Sequence, residues 1–534
     1  MQIATGVFAP GRGALTVGIL LSITAMACEG MAVSTVLPSI AVDLGGLGDY
    51  GWAFSAFMLA SLVGAIAAGR SADRDDALSP ARLGFASFAA GILVAGFAPV
   101  WPIFLVGRAV QGFGAGSLIA IAFVAVARGY PESLRPRLMA LISSAWVVPS
   151  LVGPALAGEV AEHASWRLVF VGILPPVAAG AWMLLPRLGR LASSEAAPAP
   201  AASASVVGGS VAAESFSPAA SAPVVGGRVA ADSLSPNASA RVVGDAGTAT
   251  DPSATDRLAA SLRLTAGVAL ALLAASLTFP LASAILGVVG LILALPALHS
   301  LLPRGTFVAR GGLPAAVALR GLLAFGFFGA EALIPLGLTT QRGVPPSLVG
   351  LSLTASALAW VAGSWAQDRA EAAASGSVSK RAVRAAGGLL LVACGIAVTA
   401  MAILTPALPL ELVVLAWALA GLGMGIAYPA ATLTALGAAP SGQEGAAASA
   451  LQVAETIGTA IGTGAAGALF ALAAQFRDAG GDGLAWGFVL AAAAIVIGLA
   501  PALRLAPTPR WSEPPHTATQ FPLAEPARAS GPPG

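Results

Sequence analysis

Charged residues are scarce in this chain: they make up 10% of its 534 residues, against roughly a quarter in an ordinary soluble domain. That shortage excludes a water-soluble globular protein. With 57% hydrophobic residues it leaves a polytopic membrane protein. A net charge of +2 provides no basic surface for nucleic acid. Lysine is nearly missing, Lys380 being the only one, so positive charge is carried by arginine. Cysteine is limited to Cys28 and Cys394, each inside an apolar run, which implies no disulfide framework. Three histidines, without metal-ligand spacing and without a nucleotide-binding loop, leave no enzyme site and call for no metal or cofactor. A cleavable signal pattern is lacking too, because the first apolar stretch runs on to about Leu37, too long for its h-region.

What the chain has in quantity is long apolar runs, each about 20 residues and so able to span the hydrocarbon core as a helix. Fourteen are expected, at 14–37, 51–69, 81–99, 101–127, 138–158, 167–186, 263–279, 281–302, 314–339, 346–366, 385–405, 411–436, 445–475 and 484–505. Leu264 to Pro303 is free of Asp, Glu, Lys and Arg and would be about 60 Å long as one helix at 1.5 Å per residue. It therefore makes two crossings with a tight turn at Phe279-Pro280; a re-entrant or surface-lying segment is the alternative. The arginines then segregate. Arg12, Arg70, Arg74, Arg82, Arg128, Arg135, Arg137, Arg187, Arg190, Arg304, Arg310, Arg369, Lys380, Arg381 and Arg384 fall on one side, and Arg167, Arg342 and Arg477 on the other. The positive-inside rule makes the arginine-rich face cytoplasmic, with both termini there. Trp52, Trp101, Trp166 and Trp486 fall at arginine-poor helix ends, where an interfacial aromatic belt is expected.

Five segments result: an N-terminal six-helix half (1–190), a cytoplasmic linker (191–262), an inserted two-helix hairpin (263–303), a C-terminal six-helix half (304–506) and a Pro-rich tail (507–534). The linker repeats every 18 residues, with Val206-Val207-Gly208, Val224-Val225-Gly226 and Val242-Val243-Gly244 in register. Its few large apolar residues cannot bury a core, so linker and tail are expected to be disordered.

A charge at membrane depth costs several kcal/mol and normally faces a partner or a wet cavity. Arg108 in the fourth run, Glu29 in the first, Glu331 in the ninth and Glu455 in the thirteenth are the candidates for such a role. Around Arg108, Gly112, Gly114 and Gly116 permit close backbone approach. The same spacing returns as Gly421, Gly423 and Gly425 in the twelfth run, where the position equivalent to Arg108 is Trp417. The two halves thus echo each other, as in transporters that alternate access around a midplane site.

Arg108-x-x-Gln111-Gly112-x-Gly114 resembles the fourth-helix motif of the major facilitator superfamily. Four further stretches resemble its fourteen-helix drug:proton antiporter branch. Glu29 precedes Leu37-Pro38-Ser39-Ile40, with Glu in place of the usual Asp. Gly69-x-x-x-Asp73-Arg74 matches the start of the loop that braces the cytoplasmic gate, but its basic continuation is replaced by Asp75-Asp76-Ala77. Gly153-Pro154-x-x-Ala157-Gly158 is similar to the antiporter motif of helix five, and Trp166-Arg167-x-x-Phe170 to the start of helix six.

The resemblance implies an all-helical bundle of two pseudo-symmetric halves. It implies export of hydrophobic or amphipathic small molecules driven by protons, with Glu29 and Arg108 in its motifs; the cost of a carboxylate at membrane depth adds Glu331 and Glu455 as coupling candidates. Glu331 has the more apolar setting, but the motif makes Glu29 the expected proton carrier of the two. The expected partners are a small amphipathic substrate, protons and the lipid bilayer of the plasma membrane, with the protein a monomer. Lipid or envelope-precursor export, a metabolite permease, and a non-transporting membrane sensor or scaffold are the alternatives.

Overall fold

In the computed structural model the described residues are 6–9, 12–72, 77–131, 134–196, 254–277, 279–373, 377–439, 444–474 and 480–506. Among them every regular element is helical, as an apolar chain that must satisfy its own backbone in lipid requires. The α-helices are α1 (Gly13–Asp43), α2 (Trp52–Ala72), α3 (Leu78–Gly96), α4 (Trp101–Gly129), α5 (Arg135–Ser144), α6 (Val147–His163), α7 (Trp166–Ala196), α8 (Ala254–Ser276), α9 (Pro280–Leu301), α10 (Leu313–Arg342), α11 (Pro346–Ala373), α12 (Val378–Leu404), α13 (Glu411–Ala438), α14 (Glu444–Ala474), α15 (Gly480–Ile497) and α16 (Leu499–Leu503).

Thirteen of the described helices are long and apolar enough to cross a membrane. The fifth expected crossing, 138–158, is instead built from α5 and α6, broken at Ala145-Trp146. Pro149 explains the break: it lacks an N–H, and its ring would strike the carbonyl of Ala145 in a continuous helix. The hairpin is present: α8 ends at Ser276, and Pro280 takes the first position of α9, where its missing N–H is harmless. Helix α8 begins nine residues before the expected crossing, and its early residues Ala260 and Leu264 are buried against α2 and α14. An apolar window misses these turns because Asp256, Arg257 and Arg263 interrupt them. The valine-glycine repeats of the linker and the Pro-rich tail lie outside the described residues.

Two sets of helices pack alike. In the first, α4 lies against α2 and α3, and α1 against α6 and α7; in the second, α13 lies against α11 and α12, and α10 against α14 and α15. The repeated glycines set this geometry. A Cβ on Gly112 or Gly116 would run into the carbonyl of Phe57 or Ser61 on α2, and one on Gly421 or Gly425 into that of Ser356 or Trp360 on α11. The halves meet along two seams, α6 on α11 and α2 on α14. Both are tight near the arginine-poor face. A Cβ on Gly158 would lie 2.6 Å from the Pro346 carbonyl, and one on Gly51 would lie 2.6 Å from the Thr463 carbonyl. Ser347 also donates to Glu162 across the first seam, at 2.7 Å. The hairpin covers the second seam, where Leu59 and Leu62 of α2, Leu264, Val268 and Leu272 of α8, and Val453 and Ile457 of α14 share one core.

The aromatic belt needs correction. Trp486 is exposed, but Trp101 and Trp166 are buried and form an aromatic cluster with Phe104 and Phe170. Trp166 donates to Asp43 at 3.0 Å, and Arg167 lies over the Trp166 ring. An exposed carboxylate at the end of α1 serves the Trp166 indole N–H here as interfacial water would elsewhere.

Candidate functional site

The intramembrane charges sort into three places. In the first half, Arg108 on α4 forms an ion pair with Glu29 on α1, and both are fully or almost fully buried. The guanidinium also donates to Gln111 Oε1 at 2.7 Å and to the Ala53 carbonyl at 3.2 Å, and it sits 4.4 Å from the Phe57 ring centroid. Three helices therefore converge on one cation. This is how a buried charge is tolerated: it needs a counter-ion and enough acceptors for its remaining donors. Among the described residues, Glu29 Oε2 and Gln111 Nε2 have no hydrogen-bond partner.

The second half contains a pair that sequence reading missed. Arg320, in the second turn of α10, is bound to Glu455 of α14 at 3.0 Å and also donates to the Tyr428 carbonyl and the Thr432 hydroxyl on α13. The Tyr428 hydroxyl donates to the same Glu455 oxygen at 2.9 Å. The signal for Arg320 was present: an arginine seven residues inside the apolar run at 314–339. Its position near the arginine-rich loop of Arg304 and Arg310 hid it. Its partner, 135 residues away, could not be found by local spacing.

Glu331, higher on α10, stands apart from both pairs, and among the described residues nothing pairs with its carboxylate. It lines a cavity of about 610 Å³ between the halves, with Met31, Ser144 and Trp146 on one wall and residues of α10, α11 and α13 on the others. Phe327, Phe328, Trp360 and Tyr428 give the wall its aromatic character, and its charged lining residues are Glu331 and Asp368. The cavity runs from mid-bundle toward the arginine-rich ends of α11 and α13, away from the tight parts of the seams. Neither Glu29 nor Arg108 lines it.

The remaining expected site residues are scattered. Gly112 is in the α2–α4 crossing, Gly153 faces Met31 on α1, and Pro154 and Gly158 form the α6 side of the seam with α11. Gly69 has open space around it, and Asp73 and Arg74 lie outside the described residues. An ionic brace that was not expected is found in the second half, where Glu371 of α11 holds both Arg381 and Arg384 of α12. No group of histidine, cysteine or acidic residues that could hold a metal occurs among the described residues.

Residues 17–463 match the family model described as Major Facilitator Superfamily. The chain belongs to that superfamily. It is a multi-pass membrane protein of a transporter family for small molecules, not an enzyme. It is 34% identical over 152 residues to the "Probable multidrug-efflux transporter Rv1634" of Mycobacterium tuberculosis, covering 28% of this chain and 32% of that protein. It is 26% identical over 159 residues to the "Multidrug efflux pump SdrM" of Staphylococcus aureus, covering 30% and 36%. The chain thus matches about a third of these relatives' length. Solved structures share the fold alone. A peptide transporter POT in complex with sulfate gives a TM-score of 0.61 at 14% identity, over 93% of this chain and 96% of that one. The xylose transporter XylE from E. coli gives 0.56 at 12% identity, over 93% and 99%.

Proposed function

We propose that this superfamily member is a proton-coupled exporter of hydrophobic or amphipathic small molecules, with cationic ones preferred. It would work in the plasma membrane with both termini cytoplasmic. The observation that carries the reading is Glu331, an unpaired carboxylate in the wall of an aromatic cavity between the two halves. With no fixed counter-ion, its charge must be balanced by a proton or by a cationic cargo. Competition between the two at one carboxylate is the simplest coupling of outward cargo to inward protons. An inward proton gains about 2.3 kcal/mol per 100 mV, enough to support uphill export without ATP. The relatives named as multidrug efflux proteins support export, but over a third of their length. The arginine asymmetry supports the orientation, in which the cavity faces the cytoplasm. Glu29 and Arg108, sealed from this cavity, would act when the halves re-orient. Glu455 is already committed to Arg320.

The test is transport of a lipophilic cation into proteoliposomes under an imposed pH gradient. Glu331→Gln should reduce uphill transport at least about ten-fold while substrate binding and downhill exchange persist, since the amide keeps the shape but cannot titrate. Glu29→Gln should be less severe. Full uphill activity in the Glu29→Gln/Glu331→Gln double variant would remove both residues from coupling.

A further inference from the structure

The Arg320–Glu455 pair is charge-balanced, so it adds no net charge to the cavity beside it. Exchanging a buried ion pair for apolar side chains is often neutral or stabilising, so stability alone does not account for this one. What the pair does in space is hold Tyr428. The Arg320 guanidinium carbon lies 3.4 Å from the centroid of the Tyr428 ring. The Tyr428 hydroxyl is bound to Glu455, and the Tyr428 carbonyl accepts from Arg320 at 3.3 Å. One face of the ring is covered by a cation, and its far end is tied down by a hydrogen bond. Arg320 itself is 3% exposed and does not line the cavity, whereas Tyr428 does. The ring is thus mounted from behind and presented to the cavity in one orientation.

Beside it, Trp360 lies 5.4 Å away, centroid to centroid, at 59°, and Trp360 in turn packs edge-on against Phe327 at 5.6 Å. Phe327 is stacked on the fully buried Trp417 at 4.8 Å. Trp360 and Tyr428 are therefore both backed by packed groups. Rings held rigidly lose little entropy when a flat ring stacks on them, and aromatic pairs favour defined offset or edge geometries.

We infer that Arg320 and Glu455 are positioning residues for Tyr428, and that Tyr428 with Trp360 forms a fixed aromatic slot that selects flat, fused-ring cargo over alkyl cargo of equal charge. The inference rests on the transport reading above and specifies the cargo of the same cavity. Glu331 supplies the negative charge, and the slot supplies the shape discrimination.

The experiment uses the full-length protein in proteoliposomes and two monocationic probes, ethidium, which is flat and aromatic, and tetrabutylammonium, which has no ring. The reading is the ratio of kcat/KM for ethidium to that for tetrabutylammonium. Tyr428→Phe keeps the ring and removes the tether, and it should lower the ratio about three-fold, mainly through the KM for ethidium. Tyr428→Leu removes the ring and should lower it about ten-fold. Glu455→Gln should resemble Tyr428→Phe, and combining the two should lower the ratio no further, because both release the same tether. An unchanged ratio in Tyr428→Phe and Tyr428→Leu overturns the slot, and additive effects of Tyr428→Phe and Glu455→Gln overturn the positioning role. If wild-type protein moves neither probe under a gradient, the transport reading fails instead. Ethidium fluorescence titration in detergent, with tetrabutylammonium as competitor, then decides the slot by the same ratio of affinities. Should Glu455→Gln not fold, the two Tyr428 variants still decide it.

Discussion

Each half of the molecule pairs its leading helix with a later one through an arginine and a glutamate, and the two do so in opposite ways. In the first half the leading helix supplies the anion, Glu29 on α1, and the fourth supplies the cation, Arg108. In the second half the leading helix supplies the cation, Arg320 on α10, and the fifth supplies the anion, Glu455 on α14. The backbone frame is repeated, down to the glycines of α4 and α13, but the charges are not. The first pair is sealed, with the Glu29 side chain 0% exposed, while the Glu455 side chain is 19% exposed and reaches the cavity wall through Tyr428. A repeated fold therefore fixes where charges can be buried without fixing which sign goes where.

The largest effect that could break this comparison is expected from the arginines. Arg108→Ala leaves Glu29 buried without its partner, a change that costs about 3–5 kcal/mol when nothing else compensates. Transport should fall at least about a hundred-fold, and the melting temperature should drop. Arg108→Lys restores the charge without the fork of donors that reaches Glu29, Gln111 and the Ala53 carbonyl, so partial activity is expected. Arg320→Ala should be milder in thermal stability, because the Glu455 side chain is already partly exposed and less desolvated than that of Glu29. Melting curves of the three purified variants check the order; equal losses for Arg108→Ala and Arg320→Ala would show that the two pairs are equally sealed.

The next effect tests the repeat itself. Valine at Gly116 meets the Ser61 carbonyl, and valine at Gly425 meets that of Trp360, so each forces two helices apart. Overpacking of this kind costs about 1–3 kcal/mol. Gly116→Val and Gly425→Val should therefore lower the melting temperature by similar amounts. A change confined to one variant would mean that the two crossings bear load differently.

These expectations separate what the sequence displays from what it hides. The repeat, the number of crossings and the hairpin follow from apolar length and glycine spacing, which are local properties. Glu29 and Arg108 could be singled out because each belongs to a recognisable motif. Arg320 belongs to none, and its role depends on Glu455 and Tyr428, brought from α14 and α13 by packing alone. The break at Ala145-Trp146 was written in Pro149 but overshadowed by the apolar run around it. The cavity position of Glu331, against the sealed position of Glu29, depends on how the halves lean together, and no one-dimensional pattern reports that.

The smallest effect is expected where the halves are joined. If they act as two packed bodies, their coupling is carried by the seams α6–α11 and α2–α14 and by the hairpin over the second seam, all of which lie outside residues 200–250. The composition of that stretch, with its valine-glycine repeats and Phe216 as its one aromatic residue, offers no apolar surface large enough to pay for an ordered core. Deleting 200–250 shortens the connection between α7 and α8 without touching a seam residue. The closure entropy of a loop changes only slowly with length, by roughly 0.6 kcal/mol per halving. The shortened protein should thus insert, melt within about a degree or two of the full chain, and transport at a rate within about two-fold of it. A well-expressed, folded but inactive deletion would give the repeats a part in the cycle and end the description of the halves as communicating through their seams alone.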